Sequence, residues 1–415
     1  MIPSLRTKFN ERQFTPERYA QLLQRLDQAT RTHIDFRVCE TPCFFPPELL
    51  AEMAETGRVL THQLIDNPAY MRLSDEAIPE RFRIPNDNPR PNFMTVDFGL
   101  VRAPAGSWNA GSLTPKLVEL QAFPSVFGYQ ELLARAYVEA YDLDPNLTSL
   151  FGGRTESDYW ELLRRTIVGS HDPENVVLME IEPESQKTLP DFHVYEDRLG
   201  IATVDIAKLI KQGSKLFYQR DGRTIPIHRI YNRVIVDELE RKAITPAFDY
   251  RDDLDVEWAG QPNWYFRISK FSIPHLDHPS VPTAVFLDDW FANPSARSLP
   301  ENREDILLKP LYSFAGKGIQ FAPTDADLNA IPVADRHLYL LQERVHFEPV
   351  IATPCGPTQA EVRILYVWPD GLAEMIPVIS LVRLGRGLMM GVDHNRNQAW
   401  TGGSAALFQH PTIVG

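Results

Sequence analysis

The chain is short of cysteine, of positive charge and of long apolar runs. Its 415 residues include three cysteines, Cys39, Cys43 and Cys355. So small and odd a number argues against a disulfide framework and fits a reducing compartment, so a cytoplasmic location is the expectation. Cys39-x3-Cys43 lies beside Phe44, Phe45 and Pro46, and no second Cys/His pair has zinc-ligand spacing; buried thiols are expected there. Lysine and arginine total 42 against 55 acidic residues, a formal charge of −13 with histidine neutral. That deficit disfavours non-specific contact with nucleic acid or an anionic membrane, because no basic excess is available to replace counterions. No apolar run approaches the ~20 residues of a membrane span, and Met1-Ile2-Pro3-Ser4-Leu5-Arg6 lacks the apolar segment of a signal peptide.

What is present is an ordinary globular composition, 43% hydrophobic and 23% charged, over a length that divides into two or three lobes. Thr15-Pro16-Glu17 predicts a helix start, and a second helix follows Pro46-Pro47, carrying Leu49, Leu50, Met53, Leu60 and Leu64 at helical spacing and weakened by Gly57. Pro79, Pro85, Pro89 and Pro91 make 78–91 a loop. Residues 93–101 and 116–123 read as neighbouring strands, with a helical stretch at 129–141 after them. Residues 176–181, a helix with Phe192 and Tyr195, and 199–204 read as one parallel β-α-β unit. Residues 305–310, 338–343 and 362–367 are strand-like.

Three segments carry chemistry. In Leu308-Lys309-Pro310-Leu311-Tyr312-Ser313-Phe314-Ala315-Gly316-Lys317-Gly318, a strand ends in lysine before a loop whose glycines, Gly316 and Gly318, allow backbone N–H groups to approach phosphate oxygens. The Gly-Lys-Ser/Thr ending of a Walker A loop is missing, and an exposed hairpin with solvated lysines fits the same residues. Gln342-Glu343-Arg344-Val345 runs from strand to loop and offers groups suited to an adenine edge and a ribose; a surface ion pair is the alternative. If 116–123 is a strand, its period of two puts Glu119 and Gln121 on one face, with Val118 and Leu120 on the other. With Asp97 on the adjacent strand they form a hard oxygen set suited to Mg2+, or simply the watered face of an amphipathic hairpin.

Together these segments resemble the ATP-grasp ligases, in the order of the circularly permuted branch that includes the synthetase domain of glutathionylspermidine synthase. There the metal ligands precede the phosphate-binding lysines, as Asp97 and Glu119-Leu120-Gln121 precede Lys309 here. The similarity runs through Lys116-Leu117-Val118-Glu119-Leu120-Gln121, Pro124-Ser125, the 176–204 unit and Ile230-Tyr231-Asn232-Arg233, over most of residues 93–404. It implies an α+β or α/β, ATP-grasp-like fold that holds a nucleotide between two β-containing lobes, with a Rossmann-like substrate lobe and a helical N-terminal region. The implied divisions are 1–90 (helical), 91–170 (metal-binding strands and helix), 171–262 (substrate lobe), 263–345 (nucleotide-binding lid) and 346–415 (strands completing the core).

Carried over by position, the resemblance makes Lys270 and Lys309 the nucleotide-binding lysines and Ser313, Gly316, Lys317 and Gly318 a phosphate-covering loop. Gln342, Glu343, Arg344 and Val345 become the adenine hinge, and Arg363 neutralises the transferred phosphoryl group. Asp97, Glu119 and Gln121 would hold magnesium. Arg229, Asn232 and Arg233 are the substrate candidates, or braces between lobes. The implied activity is ATP-dependent joining of a small carboxylate to an amine through an acyl phosphate. Two departures stand out: Gln121 occupies a position where the family has asparagine, and Thr95 one where it has arginine, for which Arg102, Arg363 or Arg383 is the candidate substitute. They favour, as the alternative, a catalytically impaired relative that binds nucleotide or a partner. Glu361, Asp393, Asn395 and Asn397 are reserve metal ligands.

Overall fold

The computed structural model describes residues 1–85, 88–103, 112–293, 299–313 and 316–409, apart from the side chains of 392 and 393. Phe314 and Ala315 of the glycine-bearing loop, and the Asp393 side chain, lie outside the described residues.

Several helices start at capping or proline signals. Thr15 accepts from the Arg18 amide and Pro16 opens α1 (Pro16–Thr30), which buries Leu22 and Leu26. Helix α2 (Pro47–Ile65) continues through Gly57. A Cβ there would lie 2.1 Å from the Tyr366 hydroxyl, which donates to the Ala54 carbonyl at 2.9 Å. Close packing thus explains a residue that disfavours the helix. Helix α3 (Pro68–Glu76) follows, capped by Asn67. Among the described residues of 78–91 there is only a 3-10 turn, Glu80–Phe82.

Strands β1 (Phe93–Arg102) and β2 (Leu113–Gln121) pair antiparallel and lead into α4 (Phe127–Ala140) and α5 (Glu156–Ile167). The β-α-β unit follows: β3 (Val176–Glu180), α6 (Leu189–Leu199) and β4 (Ala202–Asp205), with the strands parallel. Strands β5 (Arg229–Asn232) and β6 (Glu257–Ala259) extend it to a parallel sheet of order β6-β5-β3-β4. A separate antiparallel trio fills 210–227. Next, β7 (Ala284–Phe286), β8 (Ile306–Pro310), β9 (Gln320–Phe321) and β10 (Tyr339–Glu343) form an antiparallel sheet of order β7-β10-β8-β9.

The last strands, β11 (Gln359–Val367), β12 (Ile376–Gly385) and β13 (Gly402–Gln409), return to the first pair. The central sheet runs Cys43–Phe44, β13, β12, β11, β1, β2, with Leu147–Thr148 also paired to β13. Cys43–Phe44 lies parallel to β13, so the N-terminal region contributes an edge strand to this sheet. Cys39, just before that strand, and Cys43, within it, are buried free thiols, and burial pushes the Cys43 thiol up to about 12.

Alternation along the strands divides the central sheet into two faces. Val96, Phe98, Leu117, Leu120, Val362 and Val382 share one apolar core with Leu50, Met53 and Leu60 of α2. Asp97, Glu119, Arg363 and Arg383 line a cleft on the opposite side. Among the described residues no helix is long and apolar enough to cross a membrane.

Candidate functional site

A cavity of about 550 Å³ opens between the polar face of the central sheet and the β7–β10 sheet. Register assembles its floor. Asp97 on β1 stands opposite Glu119 on β2 and opposite Arg363 on β11, while Glu361 stands opposite Arg383 on β12. Glu119, Asp97 and Arg363 therefore share one row of the sheet, and Glu361 and Arg383 the row two residues along. Arg363 grips Asp97 with both prongs, Nε to Oδ1 at 2.5 Å and Nη2 to Oδ2 at 2.7 Å. Arg383 Nη2 donates to the same Oδ2 at 2.6 Å and also to Glu361. Burial pushes the Asp97 carboxyl upward, but Arg363 and Arg383 outweigh it and hold the group below the usual carboxylate range. Burial, with the Asp97 charge adding to it, raises Glu361 instead.

The strict alternation expected for β2 fails at one residue. A β-bulge shifts the register between Asp97/Glu119 and Phe98/Leu117, leaving Val118 as the extra residue. Leu117 and Leu120 consequently both enter the core, and Val118 lines the cleft with Glu119 and Gln121 rather than facing away. Lys309 Nζ approaches the Val118 carbonyl at 3.5 Å.

The opposite wall supplies lysines. Lys309, near the end of β8, is 3% exposed and donates to Gln342 Oε1 of β10 at 2.9 Å. Burial pushes its ammonium down to about 8; Glu119 opposes that shift and Lys270 adds to it. Lys270 sits where a short helix meets the 3-10 turn Lys270–His275. Its Nζ lies 3.2 Å from Glu119 Oε1 and donates to the Ser313 carbonyl. Glu119 Oε1 also accepts from Gln121 Nε2 at 2.8 Å. The two lysines and the Glu119–Gln121 pair thus meet across the cleft.

Of the other expected residues, Gly316, Arg344 and Val345 line the cavity. Gly316 and Gly318 have φ of +71° and +76°, which favours glycine, and the Gly316 Cα faces the tip of Met389 from the far wall. Ser313, Lys317, Gly318 and Glu343 are not among the lining residues; Glu343 accepts from the Thr283 amide at 3.1 Å beside β7. Arg233 lines the cleft, donating to the Pro124 carbonyl. It feels the charges of buried Asp191 and Glu180, whose carboxyls burial pushes up to about 7 and about 8. Arg229 does not reach the cavity: it is buried on Glu257 and Asp370 and donates to the Ile167 carbonyl at the end of α5. Asn232 caps the Val234 amide. Of the reserve residues, Glu361 lines the cleft, Asn395 braces the Met389 and Gly391 carbonyls, and Asn397 is exposed.

Sequence reasoning gave no site role to Arg386 and the segment Gly387–Gly391, which lines the cavity opposite Gly316. It named Arg383 only as a stand-in for the arginine missing at Thr95. The signal for Arg383 was there: Glu361-x-Arg363 and Arg383 are charged positions on otherwise apolar strands.

Among the described lining residues, seven cationic side chains (Arg233, Lys270, Lys309, Arg344, Arg363, Arg383, Arg386) face three carboxylates (Asp97, Glu119, Glu361). The cleft therefore carries an excess of four positive charges in a chain of net −13. Such a focus of charge suits a polyanion. A magnesium ion finds a poorer set: both Asp97 oxygens are occupied by guanidinium groups, and no cluster of three acidic, His or Cys side chains is placed to hold a metal among the described residues. Of the expected oxygen donors that line the cleft, Glu119 and the amide oxygen of Gln121 are those not held by a guanidinium group.

No protein-family model and no curated protein matches the chain. A solved structure does: a glutathione synthetase-like effector, GSS30, from Globodera pallida, in its apo form, is similar with a TM-score of 0.57 and 13% identity, covering 94% of this chain and 98% of that one. The likeness thus extends over nearly the full length of both chains.

Proposed function

We propose that the cleft binds ATP and that the protein joins a small-molecule carboxylate to an amine, on an ATP-grasp-like arrangement of the central sheet and the β7–β10 sheet. The observation that carries this reading is the pair of lysines, Lys270 and Lys309, buried 3% exposed each at a cavity with a cationic excess. The likeness to a glutathione synthetase-like protein supports a ligase-type fold.

In this reading Lys270 and Lys309 hold the phosphates, Gly316 gives them its backbone N–H group, and the strand exit at Gln342–Val345 takes the base against Leu307 and Phe321, which also line the cavity. A substrate carboxylate oxygen attacks the γ-phosphorus and ADP leaves. The amine nitrogen then attacks the acyl carbon, inorganic phosphate departs, and the amine proton passes to solvent. Phosphoryl transfer needs alignment and positive charge more than covalent help, and in this reading Arg363, which lines the cavity, supplies that charge. Arg233 is the candidate for holding the carboxylate substrate. Magnesium, if it takes part, would be held by Glu119 and Gln121 with the nucleotide phosphates and would offset phosphate charge.

Purified protein with Mg-ATP and a panel of amino acids, peptides and polyamines provides the test. Acceptor-dependent release of ADP is expected. Binding of ATP without any acceptor-dependent turnover would support the second reading, a non-ligating nucleotide-binding relative, which the occupied carboxylate of Asp97 favours. A melting temperature unmoved by saturating ATP would overturn both, because a ligand of the native state must raise it.

A further inference from the structure

Arg383 has no part in that scheme, and the contacts of Asp97 do not suit the metal ligation that its position in the sequence suggests. Asp97 accepts three charge-assisted hydrogen bonds, two from Arg363 and one from Arg383, and its side chain is 3% exposed. Glu361, 7% exposed, takes the other side of Arg383. To coordinate a cation, Asp97 would have to leave both guanidinium groups and place them beside a like charge. The arginines themselves are more open than the acids that hold them, at 15% and 22%, and both line the cleft. Arg383 Nε is buried with no hydrogen-bond partner, and Arg363 Nη1 extends to Ser125 Oγ at 3.3 Å. Two carboxylates behind two guanidiniums fix the forks without neutralising the cleft as a whole.

We propose that Arg363 and Arg383 act as a paired guanidinium clamp on the terminal phosphoryl group, that Asp97 and Glu361 are the positioning residues holding the pair, and that Asp97 is not a metal ligand. The proposal rests on the cleft being a polyphosphate site. Preorganised forks of this kind stabilise charge without reorganising as it develops.

The experiment measures calorimetric binding to the full chain of tripolyphosphate in EDTA, and of ATP across a magnesium titration, for the wild type, Arg383→Lys, Asp97→Asn and Glu119→Gln. Arg383→Lys keeps the charge and loses the fork, so tripolyphosphate should bind about tenfold more weakly or worse, with the magnesium midpoint for ATP unchanged. Asp97→Asn should behave in the same way. Glu119→Gln should move the midpoint instead. A midpoint shifted by Asp97→Asn as much as by Glu119→Gln, or tripolyphosphate binding unaffected by Arg383→Lys, overturns the clamp. Should Asp97→Asn fail to fold, Arg383→Lys decides alone. Wild-type protein that binds tripolyphosphate but not ATP would remove the nucleotide reading while leaving the clamp to the Arg383→Lys result; binding of neither would remove both.

Discussion

Asp97 and Arg363 face each other across antiparallel strands β1 and β11, joined through both oxygens and two guanidinium nitrogens at 2.5 and 2.7 Å. The sheet register makes this pair, and with Arg383 it ties three neighbouring strands together on the face turned to the cleft. The contact therefore belongs to the fold as much as to the site.

Asp97→Ala should accordingly destabilise the protein by ~3–5 kcal/mol, the range for removing one partner of a buried ion pair. Asp97→Ala combined with Arg363→Met should lose less than the sum of the two single changes. Urea denaturation of the four proteins in the cycle measures this, and strict additivity would show that the pair is not coupled.

Lys309 sets a pH dependence whose sign is fixed. Its folded-state pKa, about 8, lies below the ordinary lysine value of 10.5, so between those values the unfolded chain binds more protons than the native one. Stability contributed by this site should rise as pH increases from about 8 toward 10.5, whereas anion binding, which needs the ammonium, should weaken over the same interval. Lys309→Met should flatten both trends. Tripolyphosphate affinity and melting temperature, measured from pH 7 to 10.5, check them.

Lys270 and Glu119 are 3.2 Å apart across the cleft. Glu119→Gln removes the acid that faces both lysines and should increase affinity for a metal-free polyanion, since the cationic excess grows by one charge. A weaker binder in EDTA would mean that Glu119 serves chiefly to place Lys270.

Gly57→Ala tests the packing of α2. A new Cβ at 2.1 Å from the Tyr366 hydroxyl must displace a buried ring, so a loss of roughly 1–3 kcal/mol is expected despite alanine's better helix propensity. Gly57→Ala with Tyr366→Leu should recover part of it in thermal melts. A stabilised single variant would place the ring elsewhere.

Particular residues show how far the sequence could be read. Phe93 to Arg102, Ile306 to Pro310 and the β-α-β unit announce themselves through β-branched and apolar runs between turn signals, and Thr15 with Pro16 marks a helix start. Lys309, Glu119 and Gln121 were found from residue type and spacing, Lys270 from the resemblance alone, and the four do come together at one cavity. Arg229 had the same credentials as Arg233, yet Glu257 and Asp370 draw it away from the cavity. Nothing local distinguishes the two arginines.

By itself the sequence determined element types and the supply of charged groups, because backbone propensity, capping and side-chain period act over a few residues. Tertiary structure alone decided the rest. Gly402–Gln409, rich in glycine, serine and alanine, is a strand only because Cys43–Phe44 and β12 flank it. The bulge at Val118 turned that residue into the cleft, and the register of β1, β11 and β12 joined Asp97 to two arginines instead of leaving it free. Those outcomes depend on which distant strand supplies the hydrogen bonds, and no short stretch of chain contains that information.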